Sequence, residues 1–182
     1  MCEARATLCG GSPVNANSSG RMPLELRPAE DSEFDFAFQA KRDAIGPHVC
    51  VRWGWDETWQ LEHHRARWQG KPWQIILLDS QRIGTVSIDI QPSHLQFGEF
   101  YILAPWRNRG LGTEVLCRAL SVADEKEIET RVEYLKWNPV ASLYRRHGFA
   151  VHAENDTHYL LRRAPIRIES RRSTATSTVE VR

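Results

Sequence analysis

Two closely spaced glycines preceded by two arginines form the segment of the sequence with the clearest chemical potential. The segment, residues 106–116, reads WRNRGLGTEVL, with Gly110 and Gly112 two positions apart and Arg107 and Arg109 just before them. Glycine after a strand allows successive backbone N–H groups to turn toward one point. A helix that starts there adds the positive end of its dipole, and arginines add charge-assisted contacts. The segment therefore predicts an anion site of the kind that holds a pyrophosphate.

The spacing separates this loop from two common nucleotide-binding loops. It lacks the Gly-Lys-Ser/Thr ending of the phosphate loop of nucleotide hydrolases, and Val115 occupies the place of the third glycine in the dinucleotide-binding fingerprint. Taken alone, the hexapeptide is equally compatible with an ordinary glycine-rich turn carrying two solvated arginines. A second segment is needed to decide between these interpretations.

That second segment, LKWNPVASLYRRHGF at residues 135–149, joins a strand end to a short helix. Together the two segments resemble the cofactor motifs of the GCN5-related N-acetyltransferase (GNAT) family. The stretch WGWDE at residues 53–57 resembles one found in bacterial family members of unassigned substrate. The positions that match the two motifs are Arg107, Asn108, Arg109, Gly110, Leu111 and Gly112 in the first, and Asn138, Ala141, Tyr144, Gly148 and Phe149 in the second.

The resemblance implies that acetyl-CoA is the co-substrate and that its acetyl group is transferred to an amine. Backbone N–H groups of residues 109–113 would hold the pyrophosphate, and the end of the preceding strand would pair with the pantetheine arm like an additional strand. Asn138 would face that arm from the neighbouring strand end, as well as capping a helix. The implied cofactor-binding residues are Ile102, Leu103, Ala104, Arg107, Asn108, Arg109, Gly110, Leu111, Gly112, Thr113, Asn138 and Tyr144.

Tyr144 is the candidate general acid, because the leaving group is a thiolate and a phenol can return a proton to it. The alternative for Tyr144 is a core aromatic on a short helix. The attacking amine must lose a proton, and Glu99 and Glu133 are the candidate bases. Glu99 is slightly preferred, since it lies in the apolar strand LQFGEFYIL, where a carboxylate is costly to bury without purpose. The alternatives are a carboxylate paired to an arginine, a water chain, or an amine that binds already neutral.

The acceptor pocket is expected near the first two helices, where four of the seven tryptophans lie. Trp53 and Trp55 are the candidate substrate-contacting residues, because tryptophan faces favour a cationic amine. The alternative is packing of the two helices onto the sheet. His63 and His64 are adjacent and would point about 100° apart on a helix, so they are not expected to share a metal. No metal site is predicted.

Strand and helix patterns alternate around these motifs and predict an α+β fold. We expect a mixed, mostly antiparallel sheet of about seven strands flanked by about four helices, with Gly46-Pro47 ending the first helix and Asn138 capping the last. The predicted strands are 23–27, 73–78, 82–90, 95–103, 131–137, 150–154 and 158–161. The predicted helices are 28–42, 56–69, 111–125 and 139–147.

Composition sets the remaining expectations. Polar, aperiodic ends predict a disordered leader at 1–21 and a disordered tail at 164–182 around an acetyltransferase domain at 22–163. A net charge of +1 argues against nucleic acid and membrane surfaces as partners. Four scattered cysteines and no long apolar run favour a cytoplasmic protein. Members of the family it resembles often dimerise through their sheets, so a homodimer is a candidate assembly, and the sequence leaves the oligomeric state open. The alternative functions are a non-catalytic acyl-CoA-binding module and a nucleic-acid-binding protein using the arginines near the C-terminus.

Overall fold

A computed structural model describes residues 23–167 of the chain, so the expected leader and all but the first four residues of the expected tail lie outside the described residues. Two single-turn 3₁₀ helices, Asp31–Glu33 and Ala104–Trp106, supplement the main elements. The strands are β1 Leu24–Pro28, β2 Trp73–Leu78, β3 Gln81–Ile90, β4 His94–Ile102, β5 Glu129–Leu135, β6 Ala150–Glu154 and β7 His158–Arg163. The helices are α1 Phe34–Trp53, α2 Glu57–Gly70, α3 Leu111–Glu125 and α4 Ala141–Arg146.

The seven strands form one sheet in the order β1-β2-β3-β4-β5-β7-β6. Neighbouring strands are antiparallel except for β4 and β5, which are parallel. Parallel neighbours need a crossover connection, and α3 provides it by packing against both strands. The predicted α+β fold, with its mixed sheet and four helices, is confirmed.

Helix α1 differs most from the prediction. The expectation that Gly46-Pro47 ends the helix is wrong, because α1 continues through both residues to Trp53. Proline removes one N–H from the helical ladder, but helices in proteins are held mainly by tertiary packing. Here α1 packs on β3 and β4, and Gly46 is buried against the ring of Trp55. Packing along the whole helix thus overrides the local breaking signal.

Helices cover both faces of the sheet, as the alternation of β2 shows. Ile76 and Leu78 join the main hydrophobic core, to which α3 contributes Val115 and Leu116. Trp73 points the other way, into ring contacts with residues of α2. The centre of that second cluster is His64, which is fully buried. Burial lowers its pKa to about 4, so the imidazole is neutral, and its ring packs among the surrounding aromatic rings.

Candidate active site

The most important local feature for the site is an irregularity in β4. The parallel pair β4–β5 is hydrogen-bonded only from His94 opposite Glu129 to Phe97 opposite Val132. Just beyond it, Glu99 adopts a left-handed φ of 46°, and the register against β3 shifts by one residue. A bulge of this type bends a strand and ends pairing. The second halves of β4 and β5 are therefore not paired with each other, and a split opens in the sheet.

A cavity of about 780 Å³ occupies this split, within the usual range for small-molecule sites. Its walls come from α1, α2, β4, β5 and the segment leading into α4. Four of the residues singled out in the sequence, Glu99, Glu133, Asn138 and Tyr144, line this one cavity. Trp53 lines it as well. Trp55 does not; its indole N–H donates to Glu57 and its ring packs on Phe38.

Tyr144 is 4% exposed, and its ring packs between Tyr134 and Phe149. Burial raises the pKa of its phenol, and the nearby phenol of Tyr134 raises it further. The Tyr144 hydroxyl forms no hydrogen bond with any side chain or backbone group of residues 23–167. The residue thus combines the core role considered from the sequence with a protonated hydroxyl that is free for a ligand.

Glu99 is held by three groups in the interior of the site. Its side chain is 1% exposed and accepts hydrogen bonds from Arg67, from Lys71 Nζ at 2.9 Å and from the Tyr101 hydroxyl at 3.1 Å. Burial acts to raise the pKa of the Glu99 carboxyl, but the charges of Arg67 and Lys71 outweigh it, and the pKa is lowered. Glu99 is consequently an ionised carboxylate with little tendency to take up a proton.

Arg67 also connects the two candidate bases. Its guanidinium donates to Glu133 Oε1 at 3.2 Å while it is bound to Glu99, so it spans the split between β4 and β5. The Glu133 side chain is 42% exposed and has no second cationic partner in the described part of the chain. The sequence left open that either glutamate is simply a carboxylate paired to an arginine. Both glutamates are paired to Arg67, and Glu99 is held more tightly because it is also paired to Lys71.

The glycine loop forms the start of α3 as expected. Gly110 is the residue before the first helical position and has a left-handed φ of 79°, which glycine adopts without steric cost. The first N–H groups of a helix have no acceptor within it. Gly112, in that first turn, packs against Phe100 and Ile102 of β4, which fixes the helix start beside the split. The donors of the α3 N-terminus thus lie next to the cavity.

The two loop arginines have different environments. Arg107 donates to the carbonyl oxygen of Ile102 and to Asp43 of α1, and Asp43 also accepts the backbone N–H of Ala104. The Ile102 carbonyl oxygen and the Ala104 N–H, which were expected to pair with the pantetheine arm, are therefore hydrogen-bonded within the chain. A bound arm would have to replace these hydrogen bonds. Arg109, by contrast, lies over the ring of Trp106 and forms no ion pair within the described residues.

These donors fit a diphosphate. Phosphate oxygens accept hydrogen bonds from backbone N–H groups at a helix N-terminus and from guanidinium groups, and the start of α3 and Arg109 provide both kinds of donor.

Among residues 23–167, no cluster of potential ligands has the arrangement of a metal site, and no helix is long and apolar enough to cross a membrane.

Asn138 does not directly cap α4, which corrects the sequence prediction. Its side-chain oxygen accepts the N–H of Val140 at 3.1 Å, and Val140 is itself the residue before the helix. The turn made by Pro139 and Val140 lies between the asparagine and the helix, so α4 begins at Ala141 instead of residue 139. Asn138 still lines the cavity.

Sequence reasoning missed the cationic residues of the cavity, Lys41, Arg67 and Lys71. Each belongs to or directly follows a helix whose charged residues are expected to face solvent. A usable signal existed in α1, where Lys41, Ala44 and Ile45 recur at the spacing of one helical face, and all three line the cavity. A lysine on an otherwise apolar face is a candidate for a buried charge.

Comparison with known proteins agrees with this fold. Residues 32–149 match the sequence model of the acetyltransferase (GNAT) family. A comparison with curated protein sequences found no match. Similar solved structures include the PaiA N-acetyltransferase of Thermoplasma acidophilum in complex with coenzyme A, which is 18% identical with a TM-score of 0.63 and covers 79% of this chain and 99% of its own.

Two further structures show the same likeness. An acetyltransferase of Thermus thermophilus is 14% identical with a TM-score of 0.62, covering 78% of this chain and 96% of its own. Ard1 of Thermoplasma volcanium is 16% identical with a TM-score of 0.55, covering 79% and 99%. At these identities the structures show a shared fold, whereas the family match extends over more than half of the chain. The chain therefore belongs to the GNAT acetyltransferase family and is an acyltransferase whose co-substrate is acetyl-CoA.

Proposed function

We propose that the protein transfers the acetyl group of acetyl-CoA to a primary amine, on a small molecule or a peptide N-terminus, by direct attack within a ternary complex. The observation that carries the proposal is the cavity in the split of the sheet. Its lining includes the protonated phenol of Tyr144 and the carboxylates of Glu99 and Glu133, and it lies beside a helix N-terminus. A volume of about 780 Å³ has room for the reacting end of the co-substrate together with a small acceptor.

The glycine loop holds the co-substrate in this proposal. The N–H groups of Leu111, Gly112 and Thr113, with the Arg109 guanidinium, bind the pyrophosphate. The far ends of β4 and β5 then flank the pantetheine arm. Acetyl-CoA supplies a thioester, whose carbonyl is the electrophile and whose thiolate is the leaving group. The split directs the reacting end toward Tyr144 and away from the glycine loop.

Tyr144 acts as the proton donor. Its raised pKa keeps the phenol protonated throughout the neutral range, and its hydroxyl has no competing acceptor within the described residues. A group that gives its proton to a departing thiolate must carry that proton and must not be bound elsewhere, and the Tyr144 phenol meets both conditions.

The charges around the two carboxylates favour Glu133 as the proton acceptor for the amine. Glu99 is fixed by Arg67, Lys71 and Tyr101, and its lowered pKa makes it a weak base. Glu133 shares only Arg67 and is open to water, which can relay a proton. We assign Glu99 the separate task of holding Arg67 and Lys71 in place at the bulge.

Calorimetric titration with acetyl-CoA and with CoA tests the binding step without knowledge of the acceptor. We expect micromolar affinity, and we expect the double variant Gly110→Asp, Gly112→Asp to abolish it, because two carboxylates at the helix start repel a pyrophosphate. Absence of binding at millimolar ligand would refute the assignment of the loop.

Turnover is tested by the release of free CoA thiol from acetyl-CoA in the presence of a panel of primary amines. Initial-rate patterns with both substrates varied should intersect, as a ternary complex requires. Parallel patterns would instead indicate an acetylated enzyme and would contradict direct attack.

A further inference from the structure

Lys41 is a buried charged residue of the cavity that the proposed reaction leaves without a role. It lies on α1, is 4% exposed, and its side-chain nitrogen contacts neither solvent nor any hydrogen-bond partner among residues 23–167. Placing an ammonium group in such an environment without compensation is costly. Burial lowers its pKa from 10.5 to about 8, so it still carries its charge at pH 7.

The cations that share the cavity with Lys41 are already engaged. Arg67 bonds both Glu99 and Glu133, and Lys71 bonds Glu99. The Glu99 charge acts to raise the pKa of Lys41, but no ion pair joins the two residues within the described chain. Lys41 is therefore the positive charge of this cluster that lacks a contacting anion.

No other group near Lys41 provides that anion. The remaining carboxylate of the cavity, Asp56, caps α2 by accepting the N–H of Trp59. The charges that act on the pKa of Lys41 are those of Glu99 and Arg67, and Asp56 is not among them. The neighbouring imidazoles of His63 and His64 both have lowered pKa values, chiefly through burial, and provide no negative charge.

The geometry points to Lys41 as the receptor for a carboxylate on the acceptor, so that the acceptor is a small amino acid bearing both an amine and a carboxylate. This inference rests on the proposed amine acetylation. Lys41 shares its helical face with the apolar residues Ala44, Ile45 and Val49, all of which line the cavity. Rotation of the flexible Lys41 side chain would bring Nζ to a carboxylate bound in the cavity, where the apolar face screens the pair from water and a charge-assisted hydrogen bond is strongest. A simple cationic amine would instead meet an uncompensated positive charge.

The test compares acids with their amides. Release of CoA thiol is measured for the twenty L-α-amino acids, β-alanine and 4-aminobutyrate, each beside its carboxamide, together with simple alkylamines. We expect at least one acid to have a kcat/KM at least 10-fold above that of its amide. Loss of a charge-assisted hydrogen bond in Lys41→Met should lower kcat/KM for the acid by about 10- to 100-fold, chiefly through KM. The KM for the amide should stay unchanged.

Two controls accompany this comparison. Lys126→Met removes an exposed lysine at the end of α3 and should keep the wild-type preference. Calorimetric binding of acetyl-CoA to Lys41→Met should be unaltered, which shows that the variant is folded.

The inference is overturned if amides react as well as acids, if alkylamines but no acids are acetylated, or if Lys41→Met retains the preference. In each of these outcomes amine acetylation still stands. If acetyl-CoA binds but neither acids, amides nor alkylamines are acetylated, the proposed acetylation of small amines fails together with the inference.

Discussion

Replacing Lys41 by methionine should stabilise the protein, although it should damage the site. The ammonium group is buried without a partner in the described structure, and methionine has nearly the same length without the charge. A pKa lowered from 10.5 in the unfolded chain to about 8 in the folded protein corresponds to at most about 3 kcal/mol. Residual solvent screening reduces this to about 2 kcal/mol.

The size of this stabilisation depends on pH. Below about pH 8 Lys41 is protonated in both states, and the full destabilisation is present. Between about pH 8 and 10.5 the unfolded chain binds the proton and the folded protein does not, so the stability of the wild type rises with pH. The variant lacks this rise. The stability difference between variant and wild type should therefore be constant below pH 8 and shrink above it.

Thermal and urea unfolding between pH 6 and 9.5 measure this difference. For a domain of this size about 2 kcal/mol corresponds to an increase of about 4–8 °C in Tm at pH 7. Lys126→Met, at an exposed position, should change Tm by less than about 1 °C. A Lys41→Met protein that is less stable than the wild type at pH 7, or a difference that does not depend on pH, would refute the reasoning.

Three further outcomes follow from the site. Tyr144→Phe should keep acetyl-CoA affinity and lose at least about 10²-fold in turnover; calorimetry beside thiol release measures both, and unchanged turnover would exclude the acid role. In pH–rate profiles, Glu133→Gln should lose the acidic limb and Glu99→Gln should keep it, and the reverse result would restore Glu99 as the base. Gly84→Ala should destabilise the fold by about 1–3 kcal/mol in urea unfolding, because a Cβ there would clash with the carbonyl oxygen of Tyr101; wild-type stability would refute this close approach of β3 and β4.

The elements that the sequence predicted well are those whose signals are local. The strand 73–78 and the helix 111–125 have the predicted bounds, and Asp56 caps α2 as expected. A short apolar run, a capping side chain and a glycine before a helix act within a few residues, so they can be read without tertiary structure. The GNAT resemblance rested on such local segments as well.

The features that could not be predicted depend on contacts between distant residues. The strand LQFGEFYIL is predominantly apolar on both sides of Gly98 and Glu99, and its composition does not show that Glu99 has a left-handed backbone. Arg67 meets Glu99 and Glu133 from positions 32 and 66 residues away. Helix α1 passes Pro47 because it packs on the sheet. Only the folded chain brings these partners together.

The split between β4 and β5 also has a consequence for aggregation through exposed strand edges. Unpaired strand edges attract strands of other molecules and promote aggregation. Here an unpaired stretch lies in the interior, between α1 and α2 on one side and the core on the other. It admits a slender ligand but not another polypeptide sheet. The outer edges are protected differently, since β1 ends at Pro28 and β6 has only five residues. The binding cleft arises where β4 and β5 are not hydrogen-bonded to each other, and it therefore adds no exposed strand edge to the protein surface.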